Sequence, residues 1–331
     1  MKREKYEIPK NNKGQVLSLS INPSKKNILV GTEESNLYLF DIATKNLVNE
    51  LNTTKKNEIN FVKFKKENEI LFSSGDAMNL LDLRENKKIH LLFKCEEEIN
   101  SFDLDDELIL SGDDDGNVNT FDLKNNKFLK LYKNHDNICS TVKFRPGGFG
   151  EAWSGGFDFN LYQQDYMNLR FLNSWDLNLI KFEEPSRKPF LNPAFINCME
   201  FTKDGKNLCL GLGNGCINLM RLKKNKNFLK KKKLHEKKNS STENFEFNTN
   251  LDTNNLKKQI FKMDCTPKQI PGHNWAITCL KFLETEKQNS QLLVTGSIDG
   301  NFGIWETFED KEKLLKKFFL NTKFNCFDIL E

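Results

Sequence analysis

Short apolar runs recur along the chain, each cut off by Gly, Asp or Asn, and they come in groups. The first group is Val16–Ile21, Ile28–Gly31 and Leu37–Asp41. The second is Ile59–Phe64, Ile70–Gly75 and Leu80–Asp82, and the third is Ile99–Leu104, Leu108–Gly112 and Val118–Asp122. Such runs are too short for helices. They are rich in β-branched and aromatic residues and separated by turn formers, which predicts strand, turn, strand. The closing residues Asp41, Asp82 and Asp122 lie 41 and 40 positions apart. A fourth unit runs from His135 through Ile138–Phe144 and Trp153–Asp158, and a fifth holds Ile196–Phe201, Leu208–Gly213 and Ile217–Arg221. The sixth is the cleanest: Gly272-His273, Ala276–Phe282, Leu292–Gly300 and Phe302–Glu306. Beyond it, Leu314–Leu320 reads as an outer strand and Phe324–Leu330 as an inner one. A period of about 40–45 residues with four strands per unit predicts the blades of a β-propeller. One small twisted sheet cannot bury both faces alone, so the blades cover one another around an axis. The expectation is an all-β fold over residues 1–331, with six evident blades and a partial seventh. Lys5–Ile8 would supply the closing outer strand.

Composition narrows the function. Net charge is +4, but residues 223–238 carry nine Lys and one Glu, so the remaining chain nets −4. A nucleic-acid binder should be basic across a face, so that class is disfavoured except through 223–238. Residues 223–268 are Lys- and Asn-rich and read as a flexible insertion between blades five and six. Nuclear import or RNA contact are its other readings, although Phe228 is the one aromatic in the run for a base to stack on. No run of about 18 apolar residues predicts a membrane span, and Met1–Glu7 lacks the apolar stretch of a secretory signal. None of the 8 Cys forms a Cys-x-x-Cys or zinc-finger spacing. They read as buried, reduced thiols, which suits cytosol or nucleus.

The sixth unit carries a resemblance. Its Gly-His pair, Gly-Ser-x-Asp-Gly turn and Trp-Glu ending resemble a WD repeat. In that family a His, a strand hydroxyl, the turn Asp and the Trp form one hydrogen-bond network within a blade. The resemblance implies that role for His273, Thr295 or Ser297, Asp299 and Trp305. Blade four keeps His135 and Asp158, with Gln164 near the Trp position, while blade three has Phe121 there. The stretch His135–Pro146, with Asp115-Gly116 and Phe121–Lys127 before it and Leu191–Ala194 after it, is similar to one branch of the family. Members of that branch serve as substrate receptors of the cullin-4 ubiquitin ligase.

Candidate chemical sites are few. No nucleophile elbow, zinc-protease motif or phosphate loop occurs, so no enzyme, cofactor or small-molecule substrate is expected. Gly211–Gly215 has alternating glycines, but a strand follows and not a helix, which predicts a hairpin turn. Ser111, Asp113, Asp115, Gly116 and Asp122 fall in an EF-hand-like register, but strand flanks and the absent final Glu argue against calcium. The family resemblance implies one partner site. Receptors that dock on damage-specific DNA-binding protein 1, the cullin-4 adaptor, use an upstream Asp followed by aromatic-Asp-x-Arg or Lys. Asp115, Phe121, Asp122 and Lys124 match in blade three. Asp82 and Arg84 match in blade two, without the aromatic. The physical role would be a rim cation fixed by its neighbouring Asp. Arg145, with Pro146 and Phe149, would touch a substrate. The alternative function is a scaffold of another assembly, in ribosome maturation, RNA processing or chromatin, with 223–238 as its nucleic-acid or import element.

Overall fold

The computed structural model describes residues 6–9, 14–53, 57–85, 88–131, 134–148, 150–179, 192–222, 268–283, 291–307, 312–319, 325, 326 and 328. Among these, the strands form six four-stranded antiparallel sheets, each laid down in sequence order. Blade one is β1 (Val16–Ile21), β2 (Asn27–Thr32), β3 (Asn36–Asp41) and β4 (Leu47–Asn52). Blade two is β5 (Phe61–Phe64), β6 (Glu69–Ser74), β7 (Ala77–Asp82) and β8 (Ile89–Lys94). Blade three is β9 (Ile99–Asp105), β10 (Leu108–Asp113), β11 (Val118–Asp122) and β12 (Lys127–Lys130). Blade four is β13 (Cys139–Phe144), β14 (Glu151–Gly156), β15 (Asn160–Asp165) and β16 (Arg170–Asp176). Blade five is β17 (Ile196–Phe201), β18 (Asn207–Leu212), β19 (Cys216–Arg221) and β20 (Lys268–Pro271). Blade six is β21 (Ile277–Leu283), β22 (Gln291–Ser297), β23 (Asn301–Thr307) and β24 (Glu312–Phe319).

The cores lie between blades, as the repeat argument requires. Leu29, Leu37 and Leu39 of blade one meet Val62, Phe64, Ile70 and Phe72 of blade two in one cluster. Leu71 and Met78 meet Phe102 and Ile109 across blades two and three. Leu110 and Val118 meet Val142 and Phe144 across three and four. Trp153 and Leu161 meet Met199, Leu208 and Leu210 across four and five. Cys209 and Ile217 meet Ile277, Leu293 and Trp305 across five and six. Each fully buried Leu, Ile or Phe contributes about 1.5–3 kcal/mol, so these seams hold the ring together.

Three details refine the sequence reading. Leu314–Leu320 was expected as an outer strand, and β24 is indeed the fourth strand of blade six. Lys268 opens β20, the outer strand of blade five. The Lys/Asn-rich segment therefore joins the third and fourth strands of one blade and does not separate blades five and six. Its residues 223–267 lie outside the described residues, as do Phe149 and Cys265. Residues 6–9 form no strand. Tyr6 and Ile8 instead pack on Val30, Tyr38 and Phe40, the face of blade one turned away from blade two. Closure at the N-terminal segment is thus by side-chain packing.

Strand direction gives the molecule two ends. Turns between second and third strands, and the connections between blades, lie at what we call the upper end. Turns between first and second, and between third and fourth, lie at the lower end.

Candidate interaction surfaces

Three members of the hydrogen-bond network expected inside a blade come together in blade six and three in blade four, a different three in each. In blade six, His273 Nε2 lies 2.7 Å from Thr295 Oγ1, and Trp305 Nε1 donates to the same hydroxyl at 2.9 Å. Ser297 and Asp299 turn elsewhere: Ser297 Oγ donates to the Trp275 carbonyl, and Asp299 holds the Asn301 amide and side chain. In blade four, His135 Nδ1 lies 2.8 Å from Asp158 Oδ1 and its Nε2 lies 2.9 Å from Ser154 Oγ. Burial pushes the Asp158 carboxyl up, but its bond to His135 leaves it below the ordinary 3.8. The Tyr162 ring lies over His135 at 4.5 Å. In register terms, Gln164 pairs with Ala152 as Trp305 pairs with Leu293, so it takes the Trp place.

The lower rim carries the expected cations. Arg84 grips Asp82 with its backbone N–H at 2.9 Å and with Nε at 2.9 and 3.2 Å. Its Nη2 completes the fork, yet the side chain stays 64% exposed. This bond, first as a side-chain hydrogen bond, pulls the Asp82 carboxyl down to about 2. Glu69 Oε1 lies 3.9 Å from the same Nη2, so two carboxylates hold the guanidinium while most of the side chain stays in solvent. Asp122 caps its own turn, accepting from the Lys124 and Asn125 amides, while the Lys124 side chain projects from the exposed turn. Phe121 is buried against Phe93, with ring centroids 4.8 Å apart. Asp115 sits in the turn before β11, at the upper end. It is about 17 Å from the Lys124 turn at a rise of ~3.3 Å per residue. The two are not brought together.

Arg145 also lies at the lower end but is turned inward. Its Nε donates to the Gly205 carbonyl at 2.8 Å and its Nη1 meets both Glu151 oxygens at 3.3 and 3.1 Å. Trp153 Nε1 and Gln163 Nε2 donate to the same carboxylate. Arg145 is an internal tie between blades four and five, not the substrate contact that its loop sequence suggested. Gly211–Gly215 is a hairpin turn between β18 and β19, as expected.

One feature of the inner strands escaped the sequence reading. The same hydrogen bonds repeat from blade to blade. Val62 N donates to Ser18 Oγ and Val142 N to Ser101 Oγ, and Phe144 N donates to Asp103 Oδ2. Asn60, Ser140 and Asn197 each reach the first carbonyl of the next inner strand, at Ile99, Ile196 and Ile277. Asn325 makes that bond to Val16, and Ile21 N donates to Asp328 Oδ2 at 3.2 Å. Asn325 and Asp328 therefore hold the places that an inner strand before blade one would give them. At one level of the channel the residues then run Ser20, Lys63, Asp103, Lys143, Glu200, Lys281 and Asp328. Neighbours pair: Lys63–Asp103 at 2.5 Å, Lys143–Glu200 at 2.9 Å and Lys281–Asp328 at 3.3 Å. Burial works against the Lys143 charge, but Glu200 and Asp103 hold its ammonium above the usual range. These strands enclose a channel of about 590 Å³.

Comparison with known proteins agrees with this geometry. The pattern of the family described as WD domain, G-beta repeat matches residues 265–306. The chain is 26% identical over 247 residues to the WD repeat-containing protein 53 homolog of Dictyostelium discoideum, covering 68% of this chain and 67% of that protein.

Proposed function

We propose that this WD-repeat propeller is a non-catalytic docking scaffold, a substrate receptor that joins the cullin-4 ligase through its adaptor, damage-specific DNA-binding protein 1. The reading rests on the family resemblance, because a propeller alone does not name a function. The observation that carries it is the Asp82–Arg84 fork. A guanidinium forked on Asp82, with Glu69 Oε1 3.9 Å from its Nη2, and still 64% exposed is presented for a partner's acceptor with little ordering entropy left to lose. Lys124 offers a second cation on the next blade at the same end.

The test is affinity purification of the full chain with identification of the co-purifying proteins. The reading predicts recovery of the adaptor and cullin, and about a tenfold or greater loss on Arg84→Glu with Lys124→Glu. Recovery of RNA-processing or ribosomal proteins, indifferent to these changes but lost on deleting 223–238, would overturn it in favour of another assembly.

A further inference from the structure

At the outer edge of the seam between blades two and three, aromatic rings lead from the core to the surface. The buried Phe121 ring stands 4.8 Å from Phe93, and Phe93 stands 5.3 Å from Phe128 on β12, which is 41% exposed. On the outer strand of blade two, β8, Leu91 is 52% exposed, and on that of blade one, β4, Val48 is 58% exposed. Val48 and Phe128 are the second residues of their strands and Leu91 the third. All three strands start at the lower end, so at a rise of ~3.3 Å per residue these side chains stand within about 10 Å of the lower turns. Single exposed apolar residues are ordinary, but three at one height on three successive blades form a strip.

The strip is bordered by basic turns. Residues 82–94 and 122–130, the last turns and outer strands of blades two and three, hold seven Lys or Arg against three Asp or Glu. The same stretches of blade one, 41–52, and of blade four, 165–176, each hold one cation against two carboxylates. Of the three carboxylates near the strip, Asp82 is engaged by Arg84, Asp122 by its own turn, and Glu85 lies 3.0 Å from His90. Lys94 is held by Asp76, but no ion pair holds Lys88 or Lys124 among the described residues. Glu69 and Glu107, from turns nearer the axis, pair with Lys65. Apolar anchors beside unpaired cations fit a partner with carboxylates set around an apolar patch. A phosphate backbone would meet the cations and leave the strip in water.

We infer that Val48, Leu91 and Phe128 form the apolar centre of the face that takes the adaptor, and that the adaptor meets it with Asp and Glu around an apolar patch. The inference rests on the docking reading above and adds the anchors to it. Arg84 and Lys124 then stand at the rim of a larger contact. Three paired strands carry the anchors, so binding costs little backbone ordering. The rim cations steer the encounter, while the anchors, once out of water, hold the complex.

The test is surface plasmon resonance of the purified full chain against purified damage-specific DNA-binding protein 1. Binding is expected, with affinity about tenfold or more weaker in Leu91→Asp and in Phe128→Ser. Lys88→Glu, or raising salt from about 0.05 to 0.3 M, should slow association about threefold or more. Trp275→Ala, at an exposed indole of the upper end, should change neither. Phe128 leans on Phe93, so Phe128→Ser is read beside its melting temperature. Leu91→Asp and Val48→Asp alter side chains that are more than half exposed and keep the test open if Phe128→Ser unfolds. Affinity indifferent to Leu91→Asp and Val48→Asp, or association indifferent to both salt and Lys88→Glu, would overturn the inference. Binding still lost on Arg84→Glu would then leave the docking reading standing, whereas no binding of the adaptor at all would overturn both.

Discussion

Arg145 and Glu151 show what a single buried pair demands. Their side chains are 5% and 1% exposed. Removing one partner strands the other charge away from water, which costs about 3–5 kcal/mol. Glu151→Ala should therefore lower unfolding free energy in urea by that amount. Glu151→Gln should lose less, because its oxygen still accepts from Trp153 and Gln163. Asp158 gives a pH signature. Its pKa is below 3.8 in the folded blade, so the stability it contributes is present above that value and lost as pH falls through its folded pKa. Asp158→Asn should be less stable at neutral pH, and its melting temperature should drop less than the parent's between about pH 5 and 3. At this scale the sequence was a partial guide. The Asp82–Arg84 fork was legible because two residues in a tight turn can hardly avoid each other. The fate of Arg145 was not, because a cation before Pro-Gly-Gly reads as solvated loop until the facing Gly205 carbonyl is known.

Elements repeat because their turns repeat. Gly116 and Gly215 end upper turns with φ of +79° and +82°. A Cβ on Gly116 would stand 2.4 Å from the His135 carbonyl oxygen, and on Gly215 2.3 Å from that of His273. Each carbonyl belongs to the entry of the next blade, whose His amide donates back to the glycine carbonyl at 2.8 and 2.7 Å. The glycine is thus required twice over, by conformation and by close approach of another backbone. Gly147 has φ +67° with open space around it. Gly147→Ala should cost about 1–2 kcal/mol, the price of the left-handed conformation alone. Gly116→Ala should cost clearly more, since backbone must also move, and thermal denaturation of the two variants side by side measures the difference. Strand existence was legible in the apolar runs, since period-2 burial against a neighbouring sheet leaves that trace. What a run could not give was its sheet. Lys268–Pro271 is too short and too far from Arg221 in sequence to be read as blade five's outer strand, and only pairing with Cys216–Leu219 assigns it.

The whole molecule has to close, and the inner ring of charge shows where. Lys63–Asp103, Lys143–Glu200 and Lys281–Asp328 alternate in sign from strand to strand. Seven places cannot alternate without one fault, and uncharged Ser20 of blade one occupies it. Asp328 lies beside that fault and touches both sides: one oxygen pairs with Lys281 of blade six, the other accepts the Ile21 amide of blade one. The alternation was present in the sequence but unreadable there, because the seven positions align only once the inner strands are in register. Closure then depends on two separable interactions. Asp328→Asn keeps an acceptor for Ile21 and removes the ion pair, whereas Asp328→Ala removes both. A backbone hydrogen bond of about 1 kcal/mol corresponds to roughly fivefold in local opening. Amide hydrogen exchange at Ile21 should therefore quicken about five- to tenfold in Asp328→Ala and little in Asp328→Asn, while the Val142 amide, bonded to Ser101 across the ring, stays as protected as before. Equal exchange at Ile21 in both variants would mean that Tyr6 and Ile8, packed on the face of blade one turned away from blade two, hold the first blade without help from Asp328.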